Sequence, residues 1–342
     1  MLEKKQKDIE IKLKKYLERR SKMISIAMCT YNGEKYINEQ IDSILNQTYK
    51  DFELVITDDG STDNTIDIIK EYQKNDERIK LYKNEKNLGF IKNFEKAISL
   101  CSGDHIALAD QDDSWKKNKL EVFINEIDEN ILIYSDAILM DEESNLVDNA
   151  KQLVRPENNL VSGSNNKAFL LTNCVSGNTI MFKRELIKHI LPIPENISFH
   201  DIWIAFVATS ISSITYTQES MTYYRRYPEQ VTSTRVKNYK GFFDRLNKKT
   251  NIRVDRAKVI ARDLNTMLSS GLFTKDEDKY LVKLLIEHYK NYENIFYNKK
   301  LHKYLNKYRD EVFAIYRTKK RTKRLIRTCI GLKLHKLTCF VA

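Results

Sequence analysis

The sequence predicts an α/β fold: a doubly wound, mainly parallel sheet flanked by helices, with a helical C-terminal region. Three observations predict it. Between residues 23 and 140, short β-leaning runs alternate with apolar patterns of helical period, the spacing of βαβ units. The acidic and polar clusters fall directly after the strands, where open parallel sheets bind ligands. Beyond about residue 236 the pattern turns helical and contains no proline.

The first strand is "MISIAMC" (23–29), followed by the turn "TYNGEKY". Ile37, Ile41, Ile44 and Leu45 then fall at i, i+4, i+7 and i+8, one face of a helix. "FELVITD" (52–58) is the second strand and "DGSTDNT" its exit; Ser61, Thr62 or Asp63 caps the helix carrying Ile66, Ile69 and Tyr72. "RIKLYKN" (78–84) is a shorter strand, "NLGF" a turn, and Phe94, Ala97, Ile98 and Cys101 a further helix face. "HIALA" (105–109) is the next strand, with Leu120, Phe123, Ile124 and Ile127 on the helix after it. "ILIYSDAILM" (131–140) reads as one strand. Residues 141–170 are polar and poor in pattern, which predicts a mobile loop over the site. "CVSGNTIMF" (174–182) resumes as strand, 184–190 as helix, "PIPENISFHDIW" as a loop entering a helix, and "ESMTYYRRYPEQVTS" as a late strand and turn. The domains this predicts are a basic amphipathic helix (1–22), an α/β domain (23–235, divided at 140/141 into two halves) and a helical region (236–342).

Composition narrows the function. At 342 residues and 42% hydrophobic content the chain is globular, and no run of about 18 apolar residues crosses a bilayer. The N-terminal segment is charged throughout and lacks an export signal's apolar stretch, which predicts a cytoplasmic protein. Its five cysteines are scattered without a CxxC pair and read as reduced packing groups. The net charge of +11 sits at the ends. Residues 1–22 carry nine Lys/Arg against four Asp/Glu and residues 301–342 twelve against two, leaving −4 for the body. A mildly acidic body argues against a nucleic-acid partner.

"HIALADQDDSW" places Asp110, Asp112 and Asp113 at the end of an apolar strand. Like charges leaving a buried strand repel unless something positive lies between them. A divalent cation resolves this, and oxygen donors without Cys or His favour Mg²⁺ or Mn²⁺, completed by substrate phosphates. Asp113 or Ser114 could instead only cap the next helix. Asp58 and Asp59 form a second pair, suited to accept a pyrimidine N–H or, equally, to cap a turn.

"ISIAMCTYNGEKYINEQIDSILNQTYKDFELVITDDGSTDNT", "NLGFIKNFEKA" and "GDHIALADQDDSW", in that order, resemble the nucleotide-binding half of family 2 inverting glycosyltransferases, which have the GT-A fold. The run from "NLGF" to "DQDDSW" most resembles a bacterial rhamnosyltransferase-like branch of surface-polysaccharide biosynthesis. The resemblance covers about residues 23–232 and implies a catalytic domain over 23–235, with a nucleotide-binding half (23–140) and an acceptor half (141–235). It implies that Asp112 holds Mn²⁺ or Mg²⁺, with Asp110 on ribose or metal-bound water. It also implies that Asp59 reads the pyrimidine, Tyr31 flanks the base, Cys29 and Thr30 line the pocket, and Lys92 faces the nucleotide. "FHDIW" resembles the family's acidic motif, with Asp201 as the base that takes the acceptor hydroxyl's proton, and His200 where many members have Glu. Arg225 and Arg226 match a segment closing over the diphosphate, in which Tyr227 stands where relatives commonly have His. Ser176, Gly177, Asn178, His200 and Trp203 fall on the acceptor side. The activity implied is transfer of a sugar from a UDP- or dTDP-sugar to a growing, lipid-linked surface glycan. A nucleotidyl- or phosphotransferase with the same pocket, or a non-catalytic basic lipid- or nucleic-acid-binding protein, are the alternatives.

Residues 317–342 hold nine Lys/Arg and no acid, with Leu325, Ile326, Cys329, Ile330, Leu334, Leu337 and Val341 on one face of a helix. That pattern predicts an interfacial helix on an anionic membrane, hence a peripheral location on the inner face of the cell membrane; packing against the protein is the alternative. Ile9, Leu13, Tyr16 and Leu17 repeat the pattern weakly.

Overall fold

The computed structural model describes residues 22–147, 151–154, 158–228, 230 and 242–335. Two compact units alternate along the chain. One comprises residues up to Val154, Val175–Ile193 and Ser212–Arg226; the other Arg155–Cys174, Pro194–Ile211 and Tyr227 onward.

In the first unit, β1 (Ile24–Thr30), α1 (Ile37–Leu45), β2 (Phe52–Asp58), α2 (Thr65–Asn75), β3 (Ile79–Lys83), α3 (Phe90–Leu100) and β4 (His105–Asp110) follow one another. β5 (Ser114–Trp115), α4 (Lys119–Glu126), β6 (Leu132–Tyr134), β7 (Ala137–Met140), β8 (Ile180–Lys183), α5 (Ile187–Ile190), β9 (Ile214–Tyr216) and β10 (Thr222–Arg225) complete it. A seven-stranded sheet runs in the order β3-β2-β1-β4-β8-β6-β9, with antiparallel pairing only on either side of β8. A second sheet joins β5, β10 and β7. This is the mainly parallel, helix-flanked sheet that the alternation predicts.

β2 is buried along its whole length and β1 and β4 nearly so. A parallel sheet covered on both faces demands such unbroken apolar runs. Ile24, Ile26, Met28, Leu54 and Ile56 pack with Ile37, Ile41 and Ile44 of α1 and with Leu120 and Phe123 of α4. Each such side chain contributes about 1.5–3 kcal/mol.

Three local readings are corrected. "ILIYSDAILM" is two strands, because the chain turns at Ser135–Asp136 and passes from the large sheet to the small one. The buried Asp136 carboxylate accepts the Ala137 and Val154 N–H groups and stabilises that turn. "CVSGNTIMF" begins as a 3₁₀ turn at Gly177–Thr179 and is strand only from Ile180. Asn166–Phe169, expected to be mobile, form a 3₁₀ turn, with Ala168, Phe169 and the following Leu170 buried. β5 and β9 escape a sequence reading because two or three residues show no period.

In the second unit, α6 (His200–Ile211) buries every residue from Trp203 to Thr209. A helix apolar all round belongs in a core. α7 (Phe242–Ser269), α8 (Asp276–Lys290), α9 (Lys299–Lys307), α10 (Arg309–Val312) and α11 (Thr318–Cys329) follow. α8 packs on α7, and α11 packs on α9 and α10. Leu325 and Cys329, expected to face lipid, are buried. The membrane stripe is corrected accordingly: of its residues Ile326 remains exposed, and Leu337 and Val341 lie outside the described residues. The expected N-terminal helix (1–22) also lies outside them, Lys22 excepted. Among the described residues no helix is long and apolar enough to cross a membrane.

Candidate functional site

Parallel register gathers three polar strand ends on one edge. Thr30 lies beside Asp58 and Cys29 beside Asp110. At the end of β2, Asp58 is fully buried and accepts from the Thr30 hydroxyl, the Gly60 and Ser61 N–H groups and the Ser61 hydroxyl. Asp59 accepts from Asn84 Nδ2 and Leu88 N at 2.8 Å and Gly89 N at 2.9 Å. These bonds fasten the "NLG" turn to β2, with Gly89 at φ +79°, a conformation suited to glycine. A carboxylate offers about four acceptor positions, so Asp59 retains capacity for one further donor.

At the end of β4, Asp110 and Gln111 are half-buried, Asp112 is buried and Asp113 is fully enclosed. Burial pushes the Asp113 carboxyl well above its usual range, and the Asp112 and Asp110 charges push it further. The Asn178 amide and the Arg225 N–H donate to Asp113 in opposition. Behind it, Lys119 is fully buried over the Trp115 ring, its Nζ 2.7 Å from Asn178 O and 3.0 Å from Thr222 Oγ1. Burial drives that amine well below its ordinary pKa. Asp110 and Asp112 are hard oxygen donors in surplus negative charge, the donor set that suits Mg²⁺ or Mn²⁺. Among the described residues no three His, Cys, Asp or Glu side chains form a cage. A cation held by these two acids would need further oxygens from its substrate or from water.

Several residues singled out from sequence stand elsewhere than expected. Arg225, expected on the diphosphate, is 0% exposed. Its Nε donates to Asp112 O at 2.8 Å, while its other nitrogens reach Asp141 O, Glu142 O, Ser144 Oγ and Glu39. It is an internal clamp on the acidic loop. Thr30 is also buried, with its hydroxyl committed to Asp58. Lys92 bonds Glu95 and Ile193 O instead of facing open space. Asn178 is buried between Asp113 and Lys119, and Gly177 is buried beside it. His200 and Trp203, expected toward an acceptor, are buried in the second unit, where Trp203 packs on Phe206. Tyr31 and Arg226 are exposed and Ser176 half-buried. Asp201, on the first turn of α6, is half-buried and accepts the Ile202 N–H. Residues the sequence reading passed over are Gln111, Lys119 and Asn84. Gln111 is the middle of the acidic motif, and Lys119 directly precedes the apolar face of α4.

Residues 25–191 match the family described as "Glycosyl transferase family 2". An uncharacterized glycosyltransferase of Haemophilus influenzae is 30% identical over 223 residues, 63% of this chain and 84% of that protein. The chain belongs to glycosyltransferase family 2. It is also 43% identical over 103 residues (30% of this chain, 40% of the relative) to the Escherichia coli UDP-Glc:alpha-D-GlcNAc-diphosphoundecaprenol beta-1,3-glucosyltransferase WfgD. The chain spans only 33–46% of the length of several other curated relatives it matches. In fold, this family 2 chain resembles Staphylococcus aureus TarS 1–349, solved with UDP-GlcNAc. The TM-score is 0.57 at 18% identity, over 92% of this chain and 89% of TarS. The large, mainly parallel sheet, its flanking helices and the helical C-terminal region are those of a GT-A glycosyltransferase fold.

Proposed function

We propose that this family 2 chain is an inverting glycosyltransferase that moves one sugar from a UDP- or dTDP-sugar to a hydroxyl of a lipid-linked surface glycan. The observation that carries the reading is the meeting of Tyr31, Asp59 and the Asp110–Asp112 pair at adjacent strand ends of one sheet. The uridine donors in the names of TarS and WfgD support the nucleotide class.

Asp59 accepts the pyrimidine N–H with its remaining acceptor position, and the half-exposed Tyr31 ring covers the base. Asp110 meets the ribose. Asp112, with Asp110, holds Mn²⁺ or Mg²⁺, which when bound neutralises charge on the departing diphosphate. Arg226, exposed beside the buried Arg225, is the arginine of that pair placed to add positive charge. Asp201 takes the proton of the attacking acceptor hydroxyl, a contribution on the order of 10²–10⁴-fold. Ser176 contacts the acceptor side.

Membrane attachment follows from charge. Residues 299–335 hold thirteen Lys/Arg against two Asp/Glu, as much net charge as the whole chain. Lys319, Lys320, Lys323 and Arg327 are exposed on α11, and Lys299 and Lys303 on α9. With Leu325 and Cys329 buried, these exposed cations dock on anionic lipid by electrostatics and not by insertion.

The test is a panel of UDP- and dTDP-sugars by thermal shift with Mn²⁺ or Mg²⁺, followed by transfer assays on the donor that stabilises. Asp201→Asn is expected to bind that donor normally and lose transfer. Sugar transfer by this variant at the wild-type rate overturns the assigned base; a wild type that binds the donor but transfers no sugar points to the nucleotidyl- or phosphotransferase class.

A further inference from the structure

Between the two acids of Asp110–Gln111–Asp112 stands a side chain to which metal and ribose binding assign no task. Gln111 reaches across to the turn after β1. Its Oε1 accepts the Tyr31 N–H at 2.8 Å and its Nε2 donates to the Tyr31 carbonyl at 3.0 Å. One side chain thus holds both backbone polar groups of a residue 80 positions earlier. Gly33 makes room for it: a Cβ there would lie 2.3 Å from Gln111 Oε1 and 2.6 Å from its Cδ. The rest of the turn is tied to the exit of β2. Asn32, in the left-handed region at φ +48°, donates its N–H to Ser61 Oγ and accepts the Thr62 N–H, while the Gly33 N–H donates to Thr65 Oγ1.

We propose that Gln111 is a positioning residue that sets the span between Tyr31 and the Asp110 and Asp112 carboxylates, so that a nucleoside diphosphate is read as one unit. The inference rests on the nucleotide-sugar reading above. Tyr31 is 50% exposed, and few packing contacts fix its place; the amide clasp supplies the constraint. Without the clasp the turn keeps its ties to β2 but loses its tie to β4. A ligand occupying only the base pocket or only the acidic end is little affected by such a loss. A ligand that bridges the two ends must order the turn as it binds, and its affinity falls.

The experiment compares wild type, Gln111→Ala, Gly33→Ala and the double variant by calorimetry. The ligands are UDP or dTDP with Mn²⁺, whichever wild type binds more tightly, and the matching free nucleoside. Gln111→Ala is expected to weaken the diphosphate about tenfold and the nucleoside less than about twofold, the scale of two lost hydrogen bonds felt only by the bridging ligand. Gly33→Ala is expected to reproduce that loss, because its methyl displaces the Gln111 amide. In the Gln111→Ala background the methyl meets no amide, so the double variant should bind like either single one. Wild-type affinity in Gln111→Ala overturns the inference, as do equal losses for nucleoside and diphosphate, or additive losses in the double variant. A wild-type protein that binds no nucleoside diphosphate overturns the nucleotide-sugar reading and the inference with it.

Discussion

The ends of β2 and β4, on either side of β1, both present acidic clusters, yet they are built in opposite ways. At β2, Asp58 and Asp59 together accept seven N–H or O–H groups from Thr30, Gly60, Ser61, Asn84, Leu88 and Gly89. At β4, Asp110, Asp112 and Asp113 crowd together, and the Asn178 amide and Arg225 N–H on Asp113 do not offset burial and mutual repulsion. Asp58, with four donors, is held as scaffold, and Asp59, with three, keeps one acceptor position; a crowded set of carboxylates instead favours a cation.

The largest effect that tests this contrast comes from truncating one acid at each end. Asp112→Ala is expected to abolish the Mn²⁺-dependent part of UDP binding while leaving urea-unfolding stability unchanged or raised, since it removes repulsion. Asp58→Ala is expected to lower stability by about 2–4 kcal/mol, the loss of several charge-assisted hydrogen bonds at a buried site. If Asp112→Ala costs as much stability as Asp58→Ala, the distinction between the two strand ends fails.

The pH axis sharpens the same contrast. Burial works to raise the Glu53 carboxyl, but the Lys80 ammonium and the Ser25 and Ser102 donors outweigh it and hold the group at about 2. Burial holds His105, His200 and His288 at about 4, with the Lys22 charge assisting at His105. A histidine depressed on folding binds fewer protons folded than unfolded, so its contribution is present above about pH 6.5 and lost as pH falls toward 4. The Glu53 contribution is present above about 4.5 and lost as pH falls toward 2. His288→Gln should therefore lose less melting temperature than wild type between about pH 6.5 and 4.5. Parallel profiles of the two proteins over that range contradict this.

The smallest effect concerns a region of opposite sign. Reversing Lys319, Lys320, Lys323 and Arg327 to Glu should release the protein from phosphatidylserine vesicles, at about 1 kcal/mol per charge, without altering nucleotide affinity. Raising salt should release the wild type in the same way. Sedimentation that ignores both changes rules out the electrostatic dock.

Much of the fold was legible in the sequence because parallel strands and amphipathic helices carry local periods. β1, β2 and β4 announce themselves as apolar runs, α1 to α4 by their spacing, and the acids by their place after the strands. β5 and β9 were not legible because two or three residues carry no period. The turn at Asp136 was hidden inside what reads as one apolar strand. Arg225 was misread for a different reason. Its neighbours resemble a diphosphate-binding segment, but its guanidinium's partners Asp112 O and Glu39 lie 113 and 186 positions away, and nothing local records those pairings. On α11 the apolar face was read correctly and its occupant was not, since Leu325 and Cys329 pack inside the protein.

By itself the sequence determined which segments become strands and helices and that acids stand at the strand exits, because period and turn chemistry act over a few residues. The tertiary structure decided which acids are saturated and which crowded, that Arg225 is an internal clamp, and that Gln111 clasps Tyr31. The physical reason is that a polar side chain takes its role from the donor or acceptor it meets. In this protein sheet order and loop path bring those partners from 25 to more than 100 residues away.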